Sequence, residues 1–385
     1  MFTRSLLAAG ITAAFAIPGV ALADDAPAAP AAAPAAPAAP ASPLAKLLDG
    51  SGITMSDYFD VAYTHANNAP SDRVFDTQRD SITLHQFGLQ IAKQPKEGFG
   101  GLLNVTAGAD VPIFASYPYT NGSSQFDVTQ AYGQYATGPW TVIAGKFTTL
   151  QGTEVIWAPS NNNTSRSILF GAIPFTHTGV RATFAASDTV SLIAGVNNGW
   201  DQVVDTNTSK TLELGATLTP IKPLSVTISD LVGKESATGT PSTTAPQGTR
   251  NSFNIVASYT VSDPLSVGIE YLNVSQSNFT TSTGGNIKAK YDGWALYGTY
   301  LITPAWRAAL RLETLDDKDG FHFGIPSTKV NEGTLTLTWL ASDNFELRGE
   351  VRRDHASNPA FADFSNATSL NQSLFTYGLE GIFKF

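Results

Sequence analysis

Residues 345–352 read Phe345-Glu346-Leu347-Arg348-Gly349-Glu350-Val351-Arg352. Odd positions are apolar or small, and even positions are charged. In an extended strand successive side chains face opposite ways, so this octapeptide has one greasy face and one ionic face. Immediately upstream, Leu335, Leu337 and Trp339 alternate with Thr334, Thr336 and Thr338. Before them, Trp306, Ala308, Leu310 and Leu312 alternate with Arg307, Arg311 and Glu313. Phe253, Ile255, Ala257, Tyr259 and Val261 repeat the device, as do Leu212, Leu214, Ala216 and Leu218. Downstream, Phe375, Tyr377, Leu379, Gly381, Phe383 and Phe385 share one face, and the chain ends on an aromatic.

Sixteen such segments follow one another, starting near residues 53, 80, 99, 126, 141, 175, 190, 211, 224, 251, 265, 289, 306, 330, 345 and 372. Their connections alternate between short and long. The short ones, such as Thr137-Gly138-Pro139, Ser262-Asp263-Pro264 and Thr303-Pro304-Ala305, carry turn-forming residues. The long ones run roughly 66–80, 110–125, 150–174, 197–210, 233–250, 274–289, 315–330 and 354–371. A soluble sandwich has no reason to differ so consistently between its two ends. An outer-membrane barrel does, with tight periplasmic turns, long extracellular loops, and strands that are apolar outside and polar inside. In hydrocarbon every backbone N–H and C=O needs an internal partner, and closing the sheet removes both edges. The fold expected is therefore all-β, a transmembrane antiparallel barrel of about 16 strands over residues 50–385. Its first strand, near Tyr58, should pair with its last. Tyr58, Tyr63, Phe126, Trp140, Trp200, Tyr271, Tyr291, Trp306 and Trp339 gather near strand ends and are expected to form interfacial girdles.

The chain of 385 residues begins with one charge, Arg4, then an apolar run from Leu6 to Val20 and Ala21-Leu22-Ala23 before Asp24. This reads as a secretory signal peptide, residues 1–23. Residues 24–49 are rich in Ala and Pro, which favours an extended periplasmic tether; eighteen positions of polyproline II reach roughly 55 Å. Charged residues make up only 14% of the chain, and Lys+Arg 23 against Asp+Glu 32 gives a net charge of −9. An acidic chain without a basic stripe argues against a nucleic-acid partner. With Cys 0, thiolate metal sites and cysteine nucleophiles are excluded. The five histidines, His65, His85, His177, His322 and His355, are scattered, and neither a nucleophile elbow nor a zinc-protease helix is present, so no enzyme, cofactor or metal is expected.

Sixteen strands enclose more space than side chains fill, so an aqueous channel is expected. Alternation turns Lys146, Arg181, Arg307, Arg311, Arg348, Arg352 and Lys384 inward, with Glu213, Glu270, Glu313, Glu346, Glu350 and Glu380. In a wet lumen these charges would be solvated, and where they face each other across neighbouring strands they would pair and brace the wall. Seven bases against six acids make the lumen about balanced, which predicts a slight lean to anions at the constriction and no strong preference overall. The connection 150–174 is unusually apolar for a loop, with Val155, Ile156, Trp157, Ile168, Leu169, Phe170 and Ile173. It is expected to fold back against the inner wall and bring Glu154 or Arg166 to a constriction. The candidate pore residues are thus Lys146, Glu154, Arg166, Arg181, Arg307, Arg311, Glu313, Arg348, Glu350 and Arg352.

Around this connection the chain resembles the β-barrel porin-2 (OmpL-like) family. The matching residues are Ala131-Tyr132-Gly133-Gln134-Tyr135, Gly145-Lys146-Phe147, Gly152-Thr153-Glu154, Ser165-Arg166-Ser167 and Pro174-Phe175-Thr176-His177-Thr178-Gly179-Val180-Arg181. The resemblance runs from about residue 50 to 385 and is specific over 131–181. It implies an outer-membrane channel for passive diffusion of small hydrophilic solutes and ions, with no catalytic residues to carry over. More distant similarity to general sixteen-stranded porins implies a homotrimer. The final strand ending in Phe385 resembles the signal read by the barrel-assembly machinery, and lipid or lipopolysaccharide is the expected surround. Two alternatives stay open. A channel selective for sugars or organic acids would use Trp157, Phe170, Trp200, Phe321 and Phe323 as stacking faces; a structural or adhesive barrel would have an occluded lumen.

Overall fold

The computed structural model describes residues 50–119, 124–281 and 284–385. The signal peptide and the tether lie outside these residues. The strands are β1 (Thr54–Ala66), β2 (Ser81–Lys93), β3 (Gly98–Ala107), β4 (Phe126–Thr137), β5 (Trp140–Thr148), β6 (Thr176–Ser187), β7 (Val190–Asn197) and β8 (Thr211–Ile221). They continue as β9 (Leu224–Ser236), β10 (Gln247–Ser262), β11 (Leu265–Thr280), β12 (Asn286–Thr303), β13 (Trp306–Asp317), β14 (Thr328–Ser342), β15 (Phe345–Ala356) and β16 (Ser373–Lys384). All sixteen form one closed antiparallel barrel in which each pairs with its chain neighbours. Closure joins β1 to β16, with Tyr58 opposite Lys384 and Ala66 opposite Thr376. A two-stranded clip, Phe361–Ala362 with Leu370–Asn371, lies within the last loop.

The alternation read from the sequence maps onto the two faces. On β14, Leu335 and Leu337 are half exposed to the outside while Thr334, Thr336 and Thr338 are buried inside. On β15, Val351 is exposed and Arg348, Glu350 and Arg352 are buried. Every strand begins within four residues of its expected start. The main departure is at the loop end of β10, β11 and β12, which run to 16, 16 and 18 residues. About 9–11 residues suffice to span a bilayer, so these strands continue as a paired ridge beyond it. The expected long connection 274–289 shrinks to 281–285. Its Ser, Thr, Asn and Gln residues carry no apolar alternation, which is why it reads as loop although its backbone stays in the ladder.

The girdle expectation needs correction at three residues. Tyr58 and Tyr291 are buried, 1% and 3% exposed, and face inward; Trp200 lies in a loop packed against the interior. At the turn end Trp140, Trp306 and Trp339 face outward as expected, Trp140 against Phe184 and Trp306 against Trp339, and Phe99 with Tyr135 adds to the belt. Such pairs cover the seam between adjacent strands at the interface.

Candidate pore constriction

The connection 149–175, between β5 and β6, lies inside the barrel. Gly152, at φ 90°, turns the chain inward through a conformation that favours glycine. Thr153 N–H then donates to Glu270 on β11 (2.9 Å), and Gln151 Nε2 to the Ser252 carbonyl on β10 (2.8 Å). Further along, Ala158 N–H donates to the Tyr58 hydroxyl on β1 (3.3 Å) and Asn163 Nδ2 to Thr336 on β14 (2.7 Å). Thr164 and Ser165 N–H both donate to the Glu350 carboxylate on β15 (2.7 and 2.9 Å). Ile168 and Leu169 N–H both donate to Glu313 on β13 (2.7 and 3.2 Å). The segment therefore lies along the arc of inner wall from β10 through β16 to β1.

Its own residues give it shape. The Asn161 side chain accepts from Val155 N–H and donates to the Val155 and Trp157 carbonyls, which knits a tight return. Ser167 caps a four-residue helix, α1 (Ile168–Gly171), by accepting from Phe170 N–H (2.9 Å). Ile168, Leu169, Ala172 and Ile173 join wall residues Leu272, Val274, Leu315 and Val330 in one apolar cluster. On another side, Ile156 and Phe170 pack with Phe75, Val111 and Phe114, which come from the first two loops. At Gly88 on β2 an added Cβ would run into the Tyr58 ring, so glycine lets that ring lie flat against the wall beneath Trp157.

The inward charges are buried and paired. Arg311 reaches Glu154 (2.6 Å) and Glu332 (3.3 Å), and donates to the Ser165 carbonyl (2.7 Å). Arg352 pairs with Asp354 (2.7 Å) and Glu332 (3.4 Å) and donates to the Arg166 carbonyl (2.6 Å). Arg348 bridges Glu346 (3.1 Å) and Glu380 (3.0 Å), and Arg307 pairs with Glu346 (3.1 Å). On the facing arc, Arg181 pairs with Glu213 (2.7 Å) and Lys146 with Asp127 (2.8 Å). Arg166 makes no carboxylate pair; its guanidinium donates to the carbonyls of Val155, Thr164 and Ile156. Of the ten candidate residues nine are buried, and only Arg307 stays partly exposed. The expectation that these side chains are solvated is thus corrected. Isolated buried charges would be very costly, but the inserted backbone and opposite charges surround them, so desolvation is offset by hydrogen bonds and pairing.

Sequence reading missed several partners in this network: Arg73 in the first loop, which pairs with Asp354 (2.5 Å), together with Glu332 and Asp354 themselves. For the last two the signal was present. Glu332 shares the parity of Thr334, and Asp354 that of Arg352, so extending each period-two run by one step reaches them. The interior is also not balanced: sixteen buried side chains are Asp or Glu and eight are Lys or Arg, among the described residues. At the exit of the segment, Asp201 accepts from Phe175 and Thr176 N–H (2.7 and 2.9 Å), and burial pushes its carboxyl up to about 6 against those two bonds.

A family model described as "Putative beta-barrel porin-2, OmpL-like" matches residues 52–385. The chain belongs to this family. Solved structures similar to this porin include the outer membrane channel DcaP of Acinetobacter baumannii, at TM-score 0.61 and 15% identity over 86% of this chain and 97% of that one. OmpT of Vibrio cholerae in its trimer form gives TM-score 0.58 and 11% identity over 86% and 99%. An anion-selective porin from Comamonas acidovorans gives TM-score 0.58 and 11% identity, also over 86% and 99%. No curated protein matches the chain. At these identities the structures agree in fold, and the family places the barrel in the bacterial outer membrane.

Proposed function

We infer that this porin conducts small hydrophilic solutes and ions passively, through the crescent of lumen left between the inserted segment and the opposite wall. The observation that carries this reading is the position of the segment 149–175, tied by backbone N–H groups to Glu313 and Glu350 and by Glu154 to Arg311. A tethered insert narrows a wide barrel without closing it. The candidate residues then act in two ways. Glu313, Glu350, Arg311, Arg348 and Arg352 hold the insert, and Arg181, Lys146 and Arg307 border the remaining passage. The aromatic residues considered as sugar-stacking faces support no second reading. Phe170 is buried against Phe75, Trp157 stacks edge-on with Tyr58, and Trp200, Phe321 and Phe323 pack on the apolar cluster.

Homotrimeric assembly is part of the proposal, supported by the trimer form of the Vibrio cholerae protein of the same fold. Processing after Ala23, insertion through the C-terminal strand and a lipopolysaccharide surround belong to it as well. Purified mature protein reconstituted in planar bilayers should give stepwise ohmic conductance and should make liposomes permeable to small sugars. A barrel that gives neither is structural or adhesive, and the channel reading fails.

A further inference from the structure

The inner wall of β6 to β10 changes character on the turn side of the Arg181–Glu213 pair. From there to the turns its polar side chains are hydroxyls: Thr183 on β6, Ser191 on β7, Thr217 on β8, Ser225 and Thr227 on β9, and Ser258 on β10. Alternation turns all six inward. Thr183 shares the parity of Arg181, Thr217 that of Glu213, and Ser225 and Thr227 that of the fully buried Leu231, while Leu192 and Tyr259, next to Ser191 and Ser258, are exposed to the outside. The six are half-exposed, unlike the paired charges above them. An inward side chain that is half-exposed borders open lumen and not the inserted segment.

The register makes these hydroxyls one patch. Ser191 lies opposite Thr217, Thr217 opposite Thr227, and Ser225 opposite Ser258, so neighbours are about 5 Å apart across the strands. Thr217 and Thr227 share one hydrogen bond (3.4 Å). Thr183, Ser191, Ser225 and Ser258 have no side-chain partner among the described residues, which leaves their donors and acceptors to whatever fills the lumen. On β6 to β10 no inward strand position between the Arg181–Glu213 level and the turns carries a charge, among the described residues. The bases nearest the turn end elsewhere on the wall, Arg307 and Lys384, both face Glu346, at 3.1 and 3.8 Å. A charged solute moving along the hydroxyl wall gives up part of its water without meeting an opposite charge. A neutral polyhydroxylated solute exchanges hydrogen bonds with water for equivalent ones with the wall.

We propose that this hydroxyl wall is a weak binding track for neutral polyhydroxylated solutes, sugars or polyols, and that the pore passes them in preference to charged molecules of the same size. The proposal rests on the channel reading above and names its solute class. It needs no aromatic face, since the solute is held by its hydroxyls against those of Ser191, Thr217, Thr227, Ser225 and Ser258.

The test uses the full mature protein at neutral pH. In liposomes containing KCl, tracer glucose should enter faster than glucuronate and faster than glucosamine, which match it in size and differ in charge. In planar bilayers maltotriose should reduce the KCl current. Ser225→Ala/Ser258→Ala should weaken that block about fivefold for each hydroxyl removed, the worth of one net hydrogen bond. Ser225→Thr/Ser258→Thr, which keeps both hydroxyls, should retain it. Entry of either charged sugar as fast as glucose overturns the proposal, and so does a current that maltotriose leaves untouched or a block that the alanine variant does not weaken. Absence of any KCl conductance overturns the channel reading, and this inference with it. The wild-type entry rates decide the matter whether or not the variants assemble.

Discussion

Glu313 and Glu350 each accept two backbone N–H groups from the inserted segment, at 2.7–3.2 Å. Replacing either by Gln keeps the shape, removes the charge and turns one acceptor into a donor that faces an N–H. Hydrogen bonds to charged groups contribute about 1.5–3 kcal/mol each. Losing one and weakening the other destabilises the docked segment by about 2 kcal/mol per substitution, and by about 4 kcal/mol for the pair if the sites act independently. At 1.4 kcal/mol per tenfold, the detached population rises about 30-fold in a single variant and about a thousandfold in the double. The barrel itself should persist, since its strand ladder is untouched. The natural chain has Cys 0, so a single reporter, Ser165→Cys, can be placed at a position 1% exposed. Its labelling rate by a charged maleimide should follow the detached population, because labelling requires opening. Bilayer recordings should show brief steps to a higher conductance level, frequent in the double variant and rare in the parent. If Glu313→Gln/Glu350→Gln labels no faster than the parent, the two carboxylates do not hold the segment and the docking argument is wrong.

Deletion of Asn161 to Ser165 removes the tight return together with the Glu350 contact, and single-channel conductance should rise; an unchanged step size would count against a narrowing role. Asp201 is held near 6 by burial, above the usual carboxylate value, so its neutral form is the one the fold favours; stability from it is fully present below about pH 4 and is lost as pH rises through about 6. Thermal unfolding of wild type between pH 4 and 7 should show that decline, and Asp201→Asn should flatten it. Leu335 faces outward and is 51% exposed, so Leu335→Arg should cost up to about 2–4 kcal/mol in denaturant unfolding from lipid bilayers; a neutral outcome would mean that face does not meet hydrocarbon.

Much of the barrel is legible in the sequence because its two solvents are so different. Trp306 to Glu313 and Phe345 to Arg352 announce their faces residue by residue, and the turn prolines and glycines mark where each strand ends. What stays hidden depends on contacts between distant parts of the chain. Tyr58 shares the parity of the inward Asp60, Ala62 and Thr64 on β1, so alternation already turns it inward; what the sequence does not show is that Trp157 from the insert covers its ring. The apolar residues of 150–174 showed that the segment needs cover, whereas the choice of Glu313 and Glu350 as its anchors leaves no periodic trace. The ridge of β10 to β12 was hidden for the opposite reason: outside the bilayer both faces are wet, so alternation vanishes although the ladder continues.

The insert's anchors have a consequence for biogenesis. Ile168 binds Glu313, Glu154 binds Arg311 and Thr164 binds Glu380, partners 145, 157 and 216 positions further along the chain. None of these exists beside the segment until the final strands have been synthesised and threaded. A nascent barrel must therefore pass through a stage with its mouth unfilled, and contacts of such long sequence separation are slow to form. Strains in which maturation stalls at that stage should leak antibiotics that the finished wall holds back, so permeability of the cell envelope would report how promptly the inserted segment docks.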